Sequence, residues 1–264
     1  MTGALPTIPQ EMVRAFAEAE HVCVLTGAGI SAESGLPTFR DKMTGLWAKY
    51  DPVSLATPEA YDRDPDLVTR WYDFRVGEGG KHRPNPGHHA LARYERWQRS
   101  RGRRFTLLTQ NVDGFHQDAG SQDVVELHGT IRTWRCVRCS SPHRHTGEPF
   151  PEYPPRCEHC AAGTLRPNVV WFGEMLPEDA IERAHEAIGS CDVFVSIGTS
   201  GLVQPAASFA DAAASRGARV FEVNLEPTPL TLRADASVHT PSGVALPRLV
   251  EMVVTTTDER GEPE

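Results

Sequence analysis

No stretch of this sequence approaches the roughly 20 consecutive apolar residues that a bilayer-spanning helix needs, so no membrane partner is expected. Basic charge is also short. Its 27 lysines and arginines against 35 acids leave a formal net charge of -8, the wrong sign for a protein that tracks a phosphate backbone. No nucleic-acid partner is expected, whereas basic, lysine-rich protein segments suit that sign by electrostatic steering. Internal repeats and long low-complexity tracts are missing. Residues 1–6 lack the charged and apolar regions of a secretory signal, so a reducing, cytoplasmic setting is expected. With no added interaction segment in view, a monomer is expected. Cysteine is scarce, at six residues, and in a reducing setting cysteines point to metal or catalysis before disulfides. Cys23 and Cys191 lie in or beside apolar runs and read as small buried hydrophobes.

What is present is ordinary globular material. The 264 residues are 39% hydrophobic and 23% charged, enough for one large domain carrying an insert. Short apolar runs at 22–26, 105–109, 193–197 and 220–223 read as buried strands. Helical patterns occupy 8–20, 88–98, 177–188 and 205–215. This alternation predicts an α/β fold, a doubly wound parallel sheet of Rossmann-like type. The expected main domain is 1–37, 89–132 and 166–254, with a helical insert at 38–88, a small module at 133–165 and a disordered polar tail at 255–264. Ligands of such sheets sit beyond the carboxyl ends of the strands, which places the site after Thr26, Thr109, Ile197 and Val223.

The first of these ends runs into Gly27-Ala28-Gly29-Ile30-Ser31-Ala32. Glycines directly after a buried strand let backbone N–H groups approach a pyrophosphate. The loop departs from G-x-G-x-x-G at Ala32, and no acid about 20 residues on fits the usual ribose contact. A dinucleotide site or a tight structural turn both fit. Gly198-Thr199-Ser200 and Asn224-Leu225-Glu226 follow two other strands and add polar groups to the same edge; as isolated pieces they are also ordinary caps and turns.

Cys136-x-x-Cys139 and Cys157-x-x-Cys160 have the spacing of a tetrahedral zinc site. Redox dithiols are the alternative, without the βαβ context those usually have. Four thiolates leave no open coordination position, so one structural zinc ion is expected. His143, His145 and His159 are nearby and could substitute as ligands, although surface histidines explain them as well.

The run Gly27-Ala28-Gly29-Ile30-Ser31-Ala32-Glu33-Ser34-Gly35-Leu36-Pro37-Thr38-Phe39-Arg40 closely resembles the sirtuin signature. Thr109-Gln110-Asn111-Val112-Asp113 and Glu126-Leu127-His128-Gly129 match the family's other motifs in order. The four cysteines and the strand ends at Gly198 and Asn224 also fall where sirtuins place them. The resemblance covers nearly the whole chain. It implies a sirtuin-type NAD-binding domain with a zinc-ribbon and helical small domain, and a protein-lysine deacylase that yields nicotinamide and 2'-O-acyl-ADP-ribose. Implied NAD contacts are Gly27 to Ala32, Phe39, Arg40, Trp47, Gln110, Asn111, Val112 and Asp113. Gly198, Thr199, Ser200, Asn224, Leu225 and Glu226 are implied at the adenosine end, with Ser242 closing over adenine. Implied catalytic residues are His128, as general base toward a ribose hydroxyl, Asn111 and Asp113. Val169, Phe172 and Gly173 resemble the groove in which an acyl-lysine peptide adds as a strand.

Tyr72 and Arg75 are three apart on a predicted helix and share a face. A guanidinium fork takes a carboxylate bidentately, and a tyrosine hydroxyl adds a third bond. The pair resembles that of class III sirtuins, with Ala56 sixteen residues before Tyr72 leaving room for a longer chain. Succinyl and malonyl groups are therefore expected, with acetyl alongside. As residue types alone, a core tyrosine and a solvated arginine are the usual reading; the sirtuin resemblance and Ala56 favour the acyl-acid site. Three other classes remain open. A hydride-transferring oxidoreductase leaves the cysteines and His128 unexplained. A protein mono-ADP-ribosyltransferase would share the C–N cleavage, and a zinc-stabilised NAD sensor would need no general base.

Overall fold

The computed structural model describes residues 6–36, 51–160 and 162–258. At its centre six parallel strands lie in one sheet: β1 (His21–Thr26), β2 (Arg104–Thr109), β3 (Val124–Glu126), β7 (Val193–Ile197), β8 (Arg219–Asn224) and β9 (Ala236–His239). Their order is β3-β2-β1-β7-β8-β9. The chain leaves β1 for one side and later returns to the other, so the crevice beyond β1 and β7 is the switch point where such sheets bind ligands.

β1 is buried along its whole length, as expected of a strand sandwiched between two helix layers. Alternate residues serve each layer. Val22 and Val24 face one core, with Met12, Phe16, Leu91, Tyr94 and Leu249. These come from α1 (Gln10–Glu18), α6 (Pro86–Ser100) and α10 (Ser242–Asp258). Cys23 and Leu25 face the other, with Ala184, Ile188, Phe209 and Cys191, supplied largely by α8 (Glu178–Ser190) and α9 (Phe209–Ala214). Both cysteines are thus apolar packing residues. The helix expected over 205–215 is only partly α: Ala206–Ser208 is a 3-10 turn leading into α9. Helix α10 continues through Asp258, past residue 255 where a disordered tail was expected, because fully buried Val253 holds its last turns to the sheet.

A second sheet is antiparallel, β4 (Gly129–Cys136) between β5 (Pro142–Arg144) and β6 (Leu165–Val169). It is wider at both ends than the 133–165 module expected, since Gly129 already pairs with Val169. Helices α3 (Pro52–Leu55), α4 (Pro58–Arg63) and α5 (Pro65–Gly79) pack on it. Thr57 and Asp64 cap α4 and α5 by accepting the N–H groups of Ala60 and Leu67 at 3.1 and 3.0 Å, and a proline opens each helix. These are standard helix-start signals. Tyr72, Trp71 and Ala56 share one core with Trp134, Cys136, Cys157 and Trp171. Among the described residues no helix is long and apolar enough to cross a membrane.

Candidate active site

The four cysteine sulfurs lie within 4.8 Å of one another. Cys136 and Cys160 are 3.6 Å apart, and Cys139 and Cys157 are 3.7 Å apart. A zinc–sulfur bond of about 2.3 Å gives a tetrahedron with edges of about 3.8 Å, so the two short edges already match zinc and the cluster needs only a small contraction to close on it. The N–H groups of Arg138 and Cys139 point at Cys136 Sγ from 3.4 and 3.5 Å, which favours the thiolate. Of the three nearby histidines, His145 is neither ligand nor surface group. It is buried, with Nε2 2.6 Å from the Asp73 carboxylate. Gly147 N–H donates to its Nδ1 at 2.9 Å, so the ring proton sits on Nε2 and is given to Asp73. Tyr153 Oη also donates to Asp73.

Beyond the carboxyl ends of β1 and β7 the backbone is unusually close. Gly29 N–H donates to Gly198 O at 2.9 Å. A Cβ on Gly29 would stand 2.7 Å from Gly198 Cα, and one on Gly198 would stand 2.4 Å from Ile30 N. Gly198 also has φ +60°. The glycines therefore let two strand-end loops touch, and the touching loops form the wall of the crevice.

Behind that wall is a buried polar network. Ser31 Oγ donates to Asp113 Oδ2 at 2.8 Å, and Asn111 Nδ2 donates to Ser31 Oγ and to Gly27 O, both at 3.1 Å. Phe115 N–H holds the other Asp113 oxygen at 2.9 Å. Burial raises the Asp113 carboxyl pKa, opposed by these two donors. On the far side of Ser31 stands His88. Its Nδ1 accepts the Asn85 N–H at 3.3 Å, and its Nε2 lies 3.4 Å from Ser31 Oγ. Burial pushes His88 down to about 4. Neighbouring His116, whose Nε2 meets Thr26 Oγ1 at 2.9 Å, is likewise driven well below the usual imidazole range by burial. Both rings are neutral spacers at neutral pH. Sequence reading missed Asn85 and His88, although Asn85-Pro86 is a helix-start signal, and the third position after Asn85 is where a capping partner sits.

His128 lies just past β3. Its Nδ1 is 3.0 Å from the Gln110 carbonyl, which fixes the proton on Nδ1 and leaves a lone pair on Nε2. Burial lowers its pKa and the Gln110 bond partly opposes that shift.

One cavity of about 1380 Å³ collects these pieces. Gly27, Ala28, Gly29, Gln110, Asn111, Val112 and Asp113 line it, with Gly198, Thr199, Ser200, Asn224 and Glu226 at the further strand ends. His128, Val169, Phe172 and Gly173 line it too, as do Ala56, Tyr72 and Arg75. Its size exceeds the roughly 300–1,000 Å³ of a single ligand pocket, enough for a dinucleotide and a second reactant. Tyr72 is buried, and Trp171 Nε1 donates to its hydroxyl at 3.1 Å. Arg75 is half-buried rather than solvated, its guanidinium 5.0 Å from the Trp71 ring centre and 5.6 Å from that of Tyr72.

Five residues expected at the cofactor are not among those that line the cavity. Ile30 is core, Ser31 lies behind the wall and Ala32 is exposed outside the lining. Leu225 is 62% exposed and also outside the lining. Ser242, at the start of α10, donates to Glu33 at 3.2 Å, beside a second bond from Gly243 N–H at 2.5 Å. Phe39, Arg40 and Trp47 lie outside the described residues.

The sequence profile of the Sir2 family matches residues 27–205. NAD-dependent protein deacylase 2 of Pyrobaculum aerophilum is 51% identical over 90% of this chain and 93% of its own. The NAD-dependent protein deacylase of Aquifex aeolicus is 52% identical over 81% and 87%. Among solved structures, a Sir2 homologue–NAD complex superimposes with a TM-score of 0.88 at 40% identity, covering 96% of this chain and 97% of the other. Sir2Af2 bound to a myristoylated histone peptide gives 0.74 at 31%, over 95% and 98%. The chain belongs to the Sir2, or sirtuin, family.

Proposed function

We propose that this chain is an NAD-dependent protein-lysine deacylase that favours acyl groups ending in a carboxylate, succinyl and malonyl, and also removes acetyl. The observation that carries this reading is the sharing of one cavity by the glycine wall, His128 and the Tyr72/Arg75 pair. NAD, when bound, supplies the ADP-ribosyl group that accepts the acyl chain, giving nicotinamide and 2'-O-acyl-ADP-ribose.

Each residue has a role in this reading. Gly27, Ala28, Gly29, Gly198, Thr199 and Ser200 offer backbone and hydroxyl groups to the diphosphate and adenosine, and Asn224 and Glu226 extend that edge. Asn111 and Asp113, locked by Ser31, hold the ribose and nicotinamide end at fixed positions, with Gln110 and Val112 beside them; pre-set geometry of this kind lowers the barrier without further reorganisation. His128 Nε2 takes a proton from a ribose hydroxyl. The acyl-lysine peptide lies along residues 169–173, with the acyl chain running past Ala56. Arg75 and Tyr72 then meet its terminal carboxylate, a charge-assisted contact that an acetyl group cannot make.

The test is competition. The purified protein is incubated with NAD and equal amounts of acetyl-, succinyl- and malonyl-lysine peptides, and products are followed by mass spectrometry. Faster loss of the acidic groups, with nicotinamide release, is expected, and Arg75→Met removes the preference. Loss of acetyl alone would refute the acidic pocket. No acyl loss would refute the deacylase reading.

A further inference from the structure

Trp171 lies within the expected peptide groove and lines the cavity, and its side chain is held on several sides. It is 2% exposed. The Arg166 guanidinium stacks on its ring at 3.3 Å, and that same guanidinium grips Glu174 with two bonds of 2.6 and 2.9 Å. Glu174 in turn accepts the Trp171 backbone N–H at 2.8 Å. Backbone and ring are fixed together.

The one polar atom of this immobile ring is spent on Tyr72. Indole N–H can only donate, whereas a phenol can both donate and accept. The 3.1 Å bond from Trp171 Nε1 to Tyr72 Oη therefore has a single sense, with Tyr72 as acceptor. A phenolic O–H prefers the plane of its ring, which leaves it two orientations. The hydroxyl proton cannot share the indole's approach, so it points away from Trp171. Among the described residues Trp171 is the one hydrogen-bond partner of the Tyr72 hydroxyl, and Tyr72 lines the cavity.

We propose that Trp171 is a specificity-positioning residue: its indole N–H fixes the Tyr72 hydroxyl as a donor toward the terminal carboxylate of an acidic acyl chain. The inference rests on the Tyr72/Arg75 reading above and adds the cause of its direction. Burial pushes the Tyr72 hydroxyl up to about 12, so it keeps its proton throughout the working range.

The test is a double-mutant cycle of Trp171→Phe and Tyr72→Phe, with kcat and KM measured on succinyl-lysine and butyryl-lysine peptides at saturating NAD. Butyryl has the same four-carbon length without the charge. Trp171→Phe is expected to lower the succinyl-to-butyryl ratio of kcat/KM by about tenfold, mostly through KM for the succinyl peptide. In the Tyr72→Phe background the same change should move the ratio less than about twofold. An unmoved ratio in the first background, or equal drops in both, overturns the proposal while the wild-type preference leaves the acidic pocket standing. A wild-type enzyme without succinyl preference overturns both. Should Trp171→Phe fold poorly, 3-benzothienylalanine at position 171 exchanges N–H for sulfur at nearly constant shape and must give the same drop.

Discussion

His128 Nδ1 and the Gln110 carbonyl oxygen lie 3.0 Å apart, and this contact decides which nitrogen is free to take a proton. Burial lowers the His128 pKa from the ordinary 6.5. In its proposed role as base His128 works when neutral, so activity is expected to be lost only as the pH falls through that lowered value. The acid limb of kcat/KM should therefore have its midpoint below 6.5, and His128→Ala should lower kcat by about 10²- to 10⁴-fold with NAD affinity kept. A midpoint above 6.5 in wild type would rule out this microenvironment.

His88 and His116 make a different prediction, about stability. His88 titrates near 4 in the folded protein, against 6.5 when exposed, and His116 is shifted the same way. Between those pH values the unfolded chain binds protons that the native one refuses. Stability is therefore complete above 6.5 and falls as pH drops toward 4, by about 1.4 kcal/mol per pH unit for each histidine. Urea unfolding from pH 7 to 4.5 measures the slope. His88→Gln should flatten it, and an unchanged slope would mean that His88 does not resist protonation.

The cysteine tetrahedron predicts one tightly held zinc per chain, countable by elemental analysis. Cys157→Ser removes a buried ligand, and chelation removes the ion. Both should lower the melting temperature and change the emission of Trp134 and Trp171, which share a core with Cys157. Zinc loss without either change would contradict a structural role.

Gly198→Ala probes the touching loops. The added Cβ would meet Ile30 N at 2.4 Å with φ at +60°, so a cost of about 3 kcal/mol or more is expected from backbone strain plus overpacking. Chemical denaturation reads that cost, and calorimetric titration should show NAD binding lost. Gly102→Ala is the matched control: its φ is +69° and nothing lies within 4 Å of an added Cβ, so only the strain should appear.

Much of this was legible in the sequence because it is local. Val22 to Thr26 alternate between two cores, which a run of apolar β-branched residues announces, and the cysteine spacing carries its own geometry. Weak edge strands were not legible: β3 has three residues and β9 reads Ala-Ser-Val-His, held by neighbours rather than by propensity. The sequence also placed Arg75 beside Tyr72, but not what stands over Tyr72. Trp171 arrives from 99 residues away, and no periodicity records such a meeting. Nor was the contact of Ser242 with Glu33 legible, since it joins residues 209 apart in the chain.

Asp73 follows Tyr72 on α5, and its carboxylate is held by His145 and Tyr153, both from the stretch joining β5 to β6. The helix carrying Tyr72 and Arg75 is thus moored to the loop that holds Cys157 and Cys160, and it shares its interior with Cys136 and Cys157. The half of the molecule proposed to choose the acyl group is one packing unit, and it lines the same cavity as the glycine wall. A lineage could exchange its preferred acyl group by substitutions within that unit while the glycine wall and the Ser31 network stayed unaltered.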